Sequence, residues 1–147
     1  MSVPTAIPPV LSSSVRGPLG IAHLPRVWLK IRLFAAGRLP DGYRHGVGGF
    51  DEFVLTTLGV DRDAFIAFVE NEQPDYPAVE DYVRAHATNL NDAAIATINT
   101  RIDTFDMPEE LLADRRQRLR LSPGYTKSVR VNDMDDWDAF HTMLAAK

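Results

Sequence analysis

The stretch 23-HLPRVWLKIRLFAAGRLPDGY-43 decides how this chain folds. Placed at about 100° per residue, Leu24, Val27, Trp28, Ile31, Phe34 and Ala35 fall on one wide apolar face, with Leu29, Leu33 and Ala36 opposite. Pro25 suits the first helical position, where its missing N–H would be unpaired anyway. Gly37 is the natural stop, and Pro40-Asp41-Gly42 reads as a turn. A helix that is apolar nearly all round sits in the middle of its domain. The expectation is therefore a central helix over Pro25–Ala36, with Trp28, Ile31 and Phe34 buried.

The two gaps between the apolar faces hold charge. Arg26 and Lys30 share one gap, one turn apart, and Arg32 lies in the other. Helix energetics oppose this choice. Like charges at i,i+4 cost about 0.2–0.5 kcal/mol, and a cation in the first turn meets the positive end of the helix dipole. Something must compensate. One answer is an internal carboxylate: Asp41, Asp51, Glu52 or another. The other is a bound phosphate or carboxylate, held by Arg26, Lys30, the free N–H groups of the first turn and His23. His23, Arg26, Lys30 and Tyr43 are accordingly the candidate binding residues.

Outward from this helix the chain reads as more helices. A short one covers 51-DEFVLTTL-58 and stops at Gly59. Asp61 suits the N-cap of the next, through 62-RDAFIAFVENE-72, and Asp75 with Pro77 opens a third that ends near His86. Asn89 or Asn91 caps a helix through Ile102, and Asp106 with Pro108 opens 109-EELLADRRQRLRL-121. The stretch 125-YTKSVRV-131 alternates weakly like a strand, but a lone strand has no partner. A last helix is expected from Asn132 or Asp133, past Trp137 to Leu144. Residues 1–22, rich in proline and carrying Ser12-Ser13-Ser14, read as an irregular arm that docks from about Gly17 onward. The expectation is an all-α, compact single domain of about seven short helices. It comprises the arm (1–22), a helical core (23–104) and a C-terminal helical extension of the same domain (105–147).

Composition narrows the function classes. The chain has 147 residues, 45% hydrophobic and 24% charged, ordinary for one soluble globular domain. It has no cysteine, so disulfides, thiolate metal sites and thiol nucleophiles are excluded. A net charge of −4 counts against a general nucleic-acid binder. No uninterrupted apolar run approaches a membrane span, and the first residues do not resemble a signal peptide. The expected location is cytoplasmic.

Other motifs end in structural readings. Ser12-Ser13-Ser14 lacks a nucleophile-elbow frame, and 46-GVGG-49 lacks the features of a phosphate loop. The acids of 132-NDMDDWD-138 lack the glycine and closing glutamate of a calcium loop and read as charges at a helix start. Arg115, Arg116, Arg118 and Arg120 trail Glu109 and Glu110, as the helix dipole prefers. No two histidines stand at metal-ligand spacing, and no catalytic residue, cofactor or metal is expected. An acid/base pair of His45 with Asp41 is the remaining catalytic possibility.

The run from Gly20 to Tyr43, G-x-x-H-L-P-R-x-x-x-K-I-R-L-x-x-x-G-x-L-P-x-x-Y, resembles the domain-of-unknown-function family 5069, a group of small bacterial proteins. The likeness continues through 49-GFDEFVLTTLGVD-61, 82-YVRAHA-87 and 98-INTRI-102, and loosens from Asp114 onward. The resemblance implies a helical fold and supplies no activity. Three functions are compatible with these residues. The first is a non-enzymatic module that binds a small anion or a partner protein at the Arg26/Lys30 stripe. The second is a small enzyme acting on an anionic metabolite, with His23, His45, Asp41 or Tyr43 as acid or base. The third is a structural subunit without a ligand. A stripe closed by carboxylates favours the third; an open stripe without a converging acid or base favours the first.

Overall fold

The computed structural model describes residues 5–145, so the first four positions of the expected arm and the last two of the chain lie outside it. Seven helices are present among the described residues: α1 (Leu24–Ala35), α2 (Gly49–Leu58), α3 (Arg62–Glu72), α4 (Tyr76–His86), α5 (Asp92–Thr104), α6 (Glu109–Leu119) and α7 (Ser128–Ala145). The domain is all-α; the described β pairing is confined to two isolated bridges, Arg16 with Ala22 and Asp106 with Lys127. No described helix is long and apolar enough to cross a membrane.

The helix starts follow the local chemistry. Asp61, Asp75 and Asn91 accept the N–H groups of Ala64, Ala78 and Ala94 at 2.9, 3.0 and 2.8 Å, each satisfying an otherwise unpaired donor. Gly59 closes α2 at φ 69°, where a side chain is disfavoured. Helix α1 packs against α2, α3 and α4, which places it at the centre. The main core joins Leu24, Val27 and Ile31 to Val54, Leu55 and Leu58 of α2, Phe65 and Val69 of α3, and Ile98 and Ile102 of α5.

Three expectations need correction. Phe34 is 47% exposed, and Trp28 is only partly buried. Phe34 lies in the last turn of α1, where its ring is stacked on His45 from the following loop, 3.7 Å between centroids. The 125–131 segment is not a strand: α7 begins at Ser128, four residues before the expected start. The V-x-V spacing arises because Val129 enters the main core while Val131 enters a second core with Met107 and Leu112. About 200° separates i and i+2 on a helix, so alternating burial fits a helix clasped from two sides as well as a strand. Finally, the arm meets the body well before Gly17. Pro8 and Pro9 are buried, and the Ile7 N–H donates to the Arg38 carbonyl at 2.7 Å.

Candidate functional site

The arm runs antiparallel to α1 and fixes the environment of its charged gap. Its Thr5 carbonyl accepts from Arg38, its Pro9 and Leu11 carbonyls from Arg26, and its Ser13 hydroxyl meets His23. An irregular segment has no ladder to satisfy its carbonyls, so buried ones need donors from elsewhere. Arg26 supplies them. Its Nη1 donates to Pro9 O at 2.5 Å and to Leu11 O at 2.9 Å. The same guanidinium grips Asp136 of α7 with both arms of its fork, at 2.6 and 3.1 Å, the planar match for which arginine is suited. Tyr43 donates its hydroxyl to Asp136 at 3.0 Å. Arg26 thus ties α1, the arm and α7 together.

One turn away, Lys30 and His23 share a second carboxylate. Asp51 of α2 accepts from Lys30 Nζ at 2.7 Å, from His23 Nε2 at 2.6 Å and from the Gly46 backbone N–H at 2.9 Å. Gly46 has φ 107°, and a Cβ there would lie 2.7 Å from Ile66, so this approach requires glycine. His23 itself has φ 72°, uncommon for a residue with a side chain, and its two ring contacts hold it there.

These groups are out of water: Arg26, Lys30, Asp51 and Asp136 are 4%, 6%, 1% and 2% exposed. Burial pushes the His23 imidazole down to about 4, against the opposing pull of Asp51, so it is neutral at pH 7. Neutral His23 then donates from Nε2 to Asp51 and accepts the Ser13 hydroxyl proton at Nδ1, the tautomer that satisfies both neighbours. Burial alone would raise Asp51, but the His23 hydrogen bond and the Lys30 ammonium outweigh it and hold the carboxyl well below its usual range. Burial lowers Lys30, and Asp51 resists. Asp136 stands above its ordinary value because burial, aided by Asp133, exceeds the pull of Arg26 and Tyr43.

The four residues singled out from the sequence thus fall into two adjoining internal clusters, His23/Lys30/Asp51 and Arg26/Tyr43/Asp136. Asp51 was among the carboxylates expected to serve; Asp136 was not. The acids of 132–138 do not sit at a helix start, as expected, but inside α7, where Asp136 holds Arg26 and Asp135 and Asp138 hold Arg118. Asp41 is exposed and makes no hydrogen bond with His45 among the described residues. The Nδ1 of His45 is buried without a partner beneath Phe34.

Ser13, His23 and Asp51 form a serine–histidine–carboxylate chain, at 2.8 and 2.6 Å, which inspection of the sequence did not suggest. Geometry of this kind activates a hydroxyl only when a substrate can reach it. Ser13 is 0% exposed, and Asp51 is already committed to Lys30 and Gly46. The chain positions the arm; it presents no nucleophile to solvent.

The chain belongs to the family described as Domain of unknown function (DUF5069), whose model matches residues 10–138. The matched span contains both charge clusters and reaches into the tail where the sequence likeness is looser. No curated protein matches the chain.

Proposed function

We propose that this DUF5069 chain is a non-enzymatic helical module that binds a partner protein through the exposed side of α7, while the basic stripe of α1 serves the fold. Trp137 carries the reading. It is 59% exposed, and Leu144, two turns further on, is 69% exposed on the same side of the helix. Aligned large apolar side chains on a surface helix suit the groove of a partner, and tryptophan is among the strongest interface anchors. Beyond Asp138, α7 makes no side-chain hydrogen bond or ion pair to another element among the described residues, so this end is free to be grasped.

The stripe closed by Asp51 and Asp136 is equally what a structural subunit without a ligand would have, and the exposed Trp137 and Leu144 are what favour a partner over it. An anion-binding module and an enzyme have less support. A small anion at His23, Arg26, Lys30 and Tyr43 would have to displace Asp51 or Asp136 from contacts of 2.6–2.7 Å. An enzyme using the Ser13–His23–Asp51 chain would need a substrate to pass under the docked arm. The test places a photoreactive phenylalanine analogue at position 137 in cells, and separately at Glu72 on α3. A discrete adduct from position 137 alone, weakened by Leu144→Asp, is expected. Equal labelling from both positions, or labelling indifferent to Leu144→Asp, would overturn the proposal.

A further inference from the structure

A groove of about 320 Å³ runs along the C-terminal half of α1, on the side away from the Arg26/Lys30 clusters. Its floor is apolar: Trp28, Leu29, Leu33 and the Ala35-Ala36 pair. Arg32 and Arg38 line it together with the uncharged Gln73. No carboxylate is among the lining residues.

Two arginines without a carboxylate meet here at one apolar surface. Acids outnumber lysines and arginines, 20 to 16. Most of the bases reach a carboxylate, from the buried pairs of Arg26 and Lys30 to the surface pairs of Arg62, Arg84 and Arg118. Arg32, although partly buried, makes no side-chain hydrogen bond or ion pair to any described residue. Arg38 has one acceptor, the Thr5 carbonyl at 3.1 Å, taken by Nε, which leaves its terminal nitrogens available. The helix dipole favours a base in this last turn, but it does not account for two arginines sharing one groove with an apolar floor. The indole N–H of Trp28 is already satisfied by Pro74 O at 2.9 Å, so the ring has only apolar surface left to offer.

We infer that this groove is a binding site for a small apolar carboxylate. The hydrocarbon part would lie along Trp28, Leu29 and Leu33, and the carboxylate would be gripped by Arg32 with Arg38 beside it. The volume is at the lower end of small-ligand sites, which suits a single chain or ring rather than a cofactor. A guanidinium fork takes both oxygens of a carboxylate at once, so charge and shape agree on the ligand class. The site is separate from the α7 surface, and neither depends on the other.

The two tryptophans make the test self-controlled, since Trp28 lines the groove and Trp137 does not. Octanoate, octanol and inorganic phosphate are titrated into the 15N-labelled protein, and both indole N–H signals are followed by NMR. Octanoate should move the Trp28 signal in a saturable way and leave Trp137 in place. Octanol should bind about tenfold more weakly or worse, having no charge for the guanidiniums, and phosphate should not move Trp28. Arg32→Gln, which removes no side-chain hydrogen bond or ion pair to the described residues, should keep the spectrum of a folded chain and weaken octanoate about tenfold. Octanol equal to octanoate, unchanged affinity in Arg32→Gln, or a Trp28 signal indifferent to octanoate would each overturn the assignment.

Discussion

Replacing Arg26 by alanine removes one side chain and leaves four acceptor contacts without their donor. Two are to the oxygens of Asp136, and two are to the Pro9 and Leu11 carbonyls. Asp136, 2% exposed, would keep only the Tyr43 hydroxyl. Breaking a buried ion pair from one side costs about 3–5 kcal/mol, because a charge stays buried without its counter-ion. The carbonyls add less, since the arm can lift and admit water. A loss of about 3–5 kcal/mol is a large part of the roughly 5–15 kcal/mol that holds a domain together. Urea melts should therefore show a midpoint far below the wild type. Arg26→Lys should recover part of the loss, because it restores the charge but not the fork. The Arg26→Met/Asp136→Leu pair should be milder than either single change, since it leaves no unpaired charge. An Arg26→Ala variant within about 0.5 kcal/mol of wild type, the range of ordinary surface changes, would mean that Arg26 is not a buried partner of Asp136. So would a wild type that needs added phosphate for its stability.

Two further outcomes follow from the same contacts. His23 is neutral in the fold and titrates near 4, against 6.5 in the unfolded chain, so the unfolded state takes up the proton first as pH falls. Its contribution is complete above pH 6.5 and is lost towards pH 4, by up to about 3 kcal/mol, and denaturant melts across that range should show His23→Asn with a flatter profile. Below the ordinary carboxyl range, protonation of Asp51, whose folded value is depressed, should continue the loss in the same direction. Gly17→Ala would bring a Cβ to 2.5 Å from the Tyr76 ring and 2.6 Å from Glu80. It should cost about 1–3 kcal/mol as overpacking does, and hydrogen exchange should speed up at Leu19, whose N–H is held by Glu80.

The helical fold was legible in the sequence because its signals are local. Asp61, Asp75 and Asn91 each cap the helix they precede, and Gly59 ends the one it follows. The 128–131 segment misled because its two valines serve two different cores, which only the packing of α5 and α6 on α7 creates. The stripe on α1 announced a need for acceptors, and Asp51 stood near enough in sequence to be named. Asp136 did not: it lies 110 residues from Arg26, inside a helix whose true start was hidden. Nothing local marks Ser13 either, since its role comes from the arm lying antiparallel on α1. Residue pattern shows where a charge must be met; only the tertiary fold shows which residue meets it.

The charged gap of α1 is closed by the protein's own groups, and the His23 ring is the sharpest reporter of that closure. Its two nitrogens can be followed by 15N NMR against pH, in buffer with and without phosphate. The ring should be neutral and protonated at Nε2, with a midpoint near 4 and no response to phosphate. A midpoint near the ordinary 6.5, or one that rises when phosphate is added, would show the gap open to solvent and ligand, and would contradict that closure.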